Sequence, residues 1–221
     1  MPRRWLRGLV ALAAVALWST GRAAGQRSVA LIPFAGYRVG GGFTDAGNFQ
    51  WDVKDALSYG GMIEFGVAPG AGVDLLYSHQ ASEVKTPPVY TSLASSYDLK
   101  VDNWLLGAWR GLNQSRGRPT SSVGPIGEAF LGLTHFSSSA GSNASADRFS
   151  AGLGLGFRAQ SPTSRVGLRL DARGLWTFSS GEGGWFCSLP GVCVVTYTGT
   201  TMFQADFTAG LVIVLGRSRS R

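Results

Sequence analysis

Apolar and polar positions alternate with a period of two along most of this chain, the spacing of a strand whose faces meet different surroundings. In the clearest stretch, residues 148–158, Phe149, Ala151, Leu153, Leu155 and Phe157 share one face; Arg148, Ser150, Gly152, Gly154, Gly156 and Arg158 share the other. Residues 165–173 and 203–215 repeat the arrangement, and weaker versions occupy 28–39, 57–68, 72–83, 99–111 and 124–136. The segment 99–111 is the least regular, because Trp104 and Leu106 share a face with Lys100, Asp102 and Arg110. Eight strands result, most of them longer than the ~5–6 residues usual in soluble sheets and close to the ~9–11 of a membrane-crossing strand. Short Pro- and Gly-bearing connections at 68–72, 112–120 and 161–164 alternate with longer ones at 40–56, 84–98, 137–147 and 179–200. That alternation predicts an up-and-down antiparallel barrel with its long loops at one end.

A barrel with one apolar and one polar face has two solutions, apolar inside as in lipocalins or apolar outside as in membrane barrels. The polar faces favour the second. They hold Glu64, Asp74, Lys100, Asp102, Arg110, Glu128, Arg158, Arg169, Asp171, Arg173 and Asp206, interspersed with Gly, Ser and Thr. Glycine weakens a solvated strand, but inside a narrow barrel it leaves room for large charged neighbours. Eight strands enclose only enough space for side chains to fill, so these bases and acids are expected to form a paired interior network. Tyr59, Tyr77, Trp109, Trp176, Phe178 and Phe203 lie near strand ends, where interfacial aromatic girdles are expected.

The first residues are a different kind of segment. Three arginines within residues 1–7, an uninterrupted apolar run at 9–18 and small residues up to Ala24 follow the order of a secretory signal, too short to span a bilayer. The expected organisation is therefore a signal peptide at 1–24 and a barrel domain at 25–221. This changes the meaning of the charge. The formal +7 comes from four bases within 1–24 and three at 217–221, leaving 13 bases against 13 acids between them. A balanced body gives no ground for nucleic-acid binding. Charged residues make up only 15% of the chain, and glycine is abundant at 32 residues, as lipid-facing strands around a narrow interior require.

Residues 59–65 (YGGMIEF), 152–157 (GLGLGF) and 167–173 (GLRLDAR), set within eight alternating segments over 28–215, resemble the small eight-stranded outer-membrane barrels of Gram-negative bacteria. These are the OmpA-transmembrane-domain and OmpX-like group. The resemblance implies an outer-membrane location, contact with lipid and lipopolysaccharide, insertion by the barrel-assembly machinery, and a structural or surface-binding role through the long loops. Trp51, Tyr90, Trp185 and Tyr197 would serve such binding. That group commonly ends its last strand on an aromatic residue; here the strand departs from that pattern and fades at Leu215 and Gly216 into an Arg-rich tail.

Candidate chemistry is sparse. Cys187 and Cys193 in the last long loop read as a disulfide in an oxidising compartment. His135 and Ser137 share a face near the rim and resemble the His-x-Ser pair of outer-membrane lipid A deacylases. Ser138 stands where that family has Asn, and no acidic partner for the histidine is evident from sequence. Neither glycine cluster, 40–42 or 152–156, sits between a strand and a helix as a phosphate cradle must. No cofactor or metal is expected. A narrow solute pore, a lipid-modifying hydrolase and a soluble lipocalin-like binder stay open beside the structural reading.

Overall fold

A computed structural model of the chain describes residues 28–44, 49–89, 95–112, 123–138, 144–161, 164–178, 182–188, 192–198 and 201–217. The proposed signal peptide lies outside them. The described residues form twelve strands: β1 (Ser28–Gly40), β2 (Gly42–Thr44), β3 (Gln50–Val53), β4 (Ala56–Ala68), β5 (Ala71–Lys85), β6 (Ser96–Gly111), β7 (Val123–Ser138), β8 (Ala144–Gln160), β9 (Val166–Phe178), β10 (Glu182–Ser188), β11 (Val192–Thr198) and β12 (Thr201–Arg217).

Eight of these close a ring. Each of β4 to β9 pairs antiparallel with its neighbour in sequence, β4 pairs with β1, β9 with β12, and β12 with β1 (Phe34 opposite Gly210, Arg38 opposite Asp206). Closure leaves the eight-strand ring without an edge, and β2 alone ends the sheet where the first hairpin is added to β5. The strands alternate in and out as the period of two requires. In β9 the inner residues Gly167, Arg169, Asp171, Arg173, Leu175 and Thr177 are buried, whereas Leu168 and Leu170 are exposed.

The turn between β4 and β5 is tight, and Gly70 supplies its left-handed corner at φ 65°. The connection expected at 137–147 is shorter than its composition suggested. Pairing of β7 with β8 runs up to Ser138 opposite Ala144, so most of that Ser-rich segment is strand. The first long loop folds back as the β2–β3 hairpin, and β3 joins β5 through Asp52 opposite Lys85 and Val53 opposite Val84. Asp55 accepts the Gly40 N–H at 2.9 Å, and Lys54 pairs with Glu83 at 2.5 Å, tying the hairpin down. Trp51 is consequently fully buried, which corrects its expected place among exposed recognition residues. Tyr90 lies outside the described residues, as do the side chains of Trp185 and Tyr197. The last loop is a β10–β11 hairpin whose backbone register sets Cys187 directly opposite Cys193.

Candidate functional site

The interior is stratified, and the same order repeats from strand to strand. At the short-turn end lies a charged cluster. Arg169, fully buried, reaches Glu64 at 2.9 Å, Asp171 at 2.9 and 3.1 Å, and Glu128 through its remaining guanidinium nitrogen. Arg158 binds Glu64 at 2.6 Å; Arg173 binds Glu128 at 3.1 Å, Asp171 at 2.6 Å and the Thr208 hydroxyl at 3.1 Å. Three guanidiniums thus share three carboxylates, the mutual pairing that buried charges need. Glycines of β8 make the space: a Cβ on Gly156 would lie 2.3 Å from Asp171 Oδ1, and one on Gly154 would lie 3.1 Å from both Arg173 Cγ and Glu128 Oε2.

Above the charges sits an apolar layer of Phe34, Met62, Leu76, Leu105, Phe130 and Leu175, all buried. Next comes a polar belt to which every barrel strand contributes one residue. Asp206 of β12 accepts from Ser58 of β4 at 2.7 Å and pairs with Arg38 of β1 at 3.4 Å. Arg38 donates to Ser78 of β5 at 2.7 Å, and Asn103 of β6 lies 3.1 Å from the same hydroxyl. The belt continues through Thr134 of β7, Ser150 of β8 and Thr177 of β9 at 2.6–2.9 Å. At the loop end, Trp51, Val84, Leu99, Val101 and Phe136 form a buried apolar cap.

Of the residues expected inside, Glu64, Asp74, Glu128, Asp171, Arg169, Arg173 and Asp206 are buried and Arg158 is nearly so. Asp74 differs from its neighbours, since neither carboxylate oxygen has a hydrogen-bond partner among the described residues. Lys100, Asp102 and Arg110 are a correction: they face outwards. In β6 the inner face is Leu99, Val101, Asn103, Leu105 and Gly107, so its mixed outer face had been assigned to the wrong side. Trp109 is likewise on the inner face, where Arg158 lies 5.6 Å from its ring. Arg38 was missed. Both faces of β1 read apolar around it, with Ile32 and Phe34 inside and Leu31 and Tyr37 outside, so no polar stripe marked it.

The outer wall is apolar. Leu31, Ile63, Phe65, Leu75, Leu106, Leu131, Leu153, Leu155, Leu168, Leu170, Phe207 and Leu211 are all exposed there. Towards the loop end, Tyr77 packs on Trp104 at 4.5 Å between ring centroids, Phe149 on Phe178 at 6.0 Å, and Trp176 on Phe203 at 5.1 Å. Just above this aromatic tier, His79 Nδ1 lies 2.8 Å from Asp102 Oδ1, which also accepts from the Tyr77 hydroxyl at 2.8 Å. His135 Nδ1 lies 2.7 Å from Asp147 Oδ1, giving the histidine the acidic partner that sequence had not disclosed. Among the described residues, no group of three or more His, Cys, Asp or Glu side chains is placed to hold a metal. No described helix is long and apolar enough to cross a membrane.

No protein-family model matches the chain, and neither does any curated protein. Several solved structures do. Neisserial surface protein A matches at 13% identity and a TM-score of 0.46, over 87% of this chain and 99% of its own. The outer-membrane protein OprG of Pseudomonas aeruginosa matches at 13% identity and a TM-score of 0.45, over 88% and 99%. Ail, the attachment invasion locus protein of Yersinia pestis, solved with a heparin analogue, matches at 16% identity and a TM-score of 0.41, over 86% and 99%. The chain is an eight-stranded, closed, antiparallel β-barrel, and the solved proteins it is similar to include small bacterial outer-membrane barrels.

Proposed function

We propose that this is an integral outer-membrane barrel protein of a Gram-negative bacterium, exported by a cleaved signal at 1–24, with a structural or surface-interaction role through its loops and no conducting channel. One observation carries the reading: a buried cluster of paired charges and a polar belt lie inside while a broad band of large apolar side chains faces outwards, the inverse of a water-soluble barrel. Lipid and lipopolysaccharide would contact the wall, the barrel-assembly machinery would insert it, and any further ligand would meet the loops. The apolar layer around Phe34, Leu105 and Phe130 and the cap around Trp51 both cross the lumen, and dry constrictions of that kind oppose ion passage. Planar-bilayer recording tests this. The reconstituted protein should give no unitary conductance, and steady wild-type openings would instead establish the narrow-pore reading.

A second reading gains from the 2.7 Å His135–Asp147 contact. Asp147 would orient His135, which would take a proton from Ser137 for attack on a lipid ester at the membrane surface. Ester hydrolysis abolished by both His135→Ala and Ser137→Ala would establish it; no turnover of lipid A or simple acyl esters would remove it.

A further inference from the structure

The chain has two histidines, and cross-strand register places both in one outward-facing row. His79 of β5 is opposite Asp102 of β6, Asp102 is opposite His135 of β7, and His135 is opposite Asp147 of β8. Four consecutive strands therefore present His, Asp, His, Asp along one register row, immediately above the row of Tyr77, Trp104, Leu133 and Phe149; the row climbs towards the loop end, from eight residues above Ala71 at His79 to thirteen above Gln160 at Asp147. The two histidine–aspartate contacts use Nδ1 of each ring and Oδ1 of each carboxylate. Among the described residues these contacts leave Nε2 of each ring and Oδ2 of each carboxylate to serve another molecule.

One strand of this row, β6, also has a short uncharged outer stretch. On β6 the outward charges Arg110 and Asp102 bracket only Ala108, Leu106 and Trp104. Eight residues at ~3.4 Å and a tilt near 40° correspond to about 21 Å of membrane height. On the opposite wall β12 presents Phe203, Ala205, Phe207, Ala209, Leu211, Ile213 and Leu215 outwards without a charge. Its twelve-residue span corresponds to about 31 Å by the same geometry. Lipid against β6 would have to thin, and association is one way a membrane protein relieves such mismatch.

We infer that the outer face of the β6–β7 seam is a homodimer interface, with a second copy of this chain as its occupant. The central pair of the row, Asp102 beside His135, is self-complementary. A two-fold axis along the membrane normal, at the seam between β6 and β7, reverses the order of the row on the facing molecule. Asp102 then meets His135 of the second copy and His135 meets its Asp102, while the climb of the row carries His79 and Asp147 to different heights, outside the contact. A lipid headgroup layer, dominated by phosphate, would match only the histidines and repel the aspartates. The other outward charges of β6 do not clash: Lys100 faces Ser137 of the second copy and Arg110 its Gly127, by the same register. Beneath the row, Ala108 and Ala129 let the walls approach closely.

The test uses the full chain in vesicles of outer-membrane lipid, with folding confirmed by gel mobility. Leu131→Cys, on the seam, should cross-link to a dimer with a short bis-maleimide, whereas Leu168→Cys, on the far wall, should not; the wild type, with its own two cysteines, is the background. Asp102→His sets histidine against histidine, and His135→Asp sets aspartate against aspartate. Each should weaken dimerisation about tenfold or more, as loss of a close interfacial charge pair does. The double swap Asp102→His with His135→Asp restores a histidine facing an aspartate across the seam and should recover the dimer. A protein monomeric at all lipid ratios, equal cross-linking on both walls, or a double swap no better than the singles would overturn the inference.

Discussion

Arg169→Met is the sharpest perturbation of the interior. Methionine approximates the length of the arginine stem but removes every contact of its fully buried guanidinium, those to Glu64, Glu128 and Asp171. None of the three acids is left wholly alone. Glu64 keeps Arg158 at 2.6 Å, and Arg173 keeps Glu128 at 3.1 Å and Asp171 at 2.6 Å. The cluster nevertheless passes from balanced to one net negative charge, beside Asp74. Removing one partner of a buried ion pair costs about 3–5 kcal/mol, and the surviving partners hold the expectation to the lower end, about 3 kcal/mol. That is on the order of a hundredfold in the folded-to-unfolded ratio. Urea unfolding in vesicles, read as the compact fraction on cold gels, measures it. Adding Glu128→Gln, which restores neutrality, should recover part of the loss. Lys54→Ala, which breaks only the exposed pair with Glu83, should leave the midpoint nearly where it is in the wild type. An Arg169→Met midpoint indistinguishable from that of Lys54→Ala would refute the claim that the charged layer is a mutually dependent network.

Gly156→Ala should cost about 1–3 kcal/mol in the same assay, because its Cβ would meet Asp171 Oδ1 at 2.3 Å within a packed layer. Asp74→Asn should leave the midpoint unchanged or raise it, since that carboxylate has no hydrogen-bond partner to lose. Lys54 holds the Glu83 carboxyl below its ordinary range, chiefly through their hydrogen bond. The contact is therefore present above the carboxyl's unfolded value and is lost as pH falls through the lower folded one; hydrogen exchange at residues 50–54 should quicken there, as it should at neutral pH in Lys54→Ala. Cys187 and Cys193 are expected to be oxidised; thiol-reactive mass tagging under denaturing conditions should add nothing until a reductant is present.

The barrel was legible because its evidence is local: alternation, strand length and turn chemistry each act within one strand. In β8 and β9 one face is plainly apolar and the other plainly polar, and their inner charges could be identified without a structure. In β6 apolar side chains serve both the interior, at Leu99, Val101 and Leu105, and the wall, at Trp104 and Leu106. A two-letter pattern cannot orient such a strand, so Lys100, Asp102 and Arg110 were placed on the wrong side. Arg38 was hidden for the same reason in β1. What no single strand could disclose is register. The eight-membered polar belt and the His79–Asp102–His135–Asp147 row join residues far apart in sequence, and each exists only once the pairing of four or more strands is fixed.

The central claim is that the apolar face of these strands meets lipid. Membrane fractionation combined with heat-dependent gel mobility tests it most directly. The account predicts that the protein is retained in the outer-membrane fraction, requires detergent for release, and migrates faster unheated than boiled. A protein recovered from the periplasm without detergent, with the same mobility before and after boiling, would contradict it.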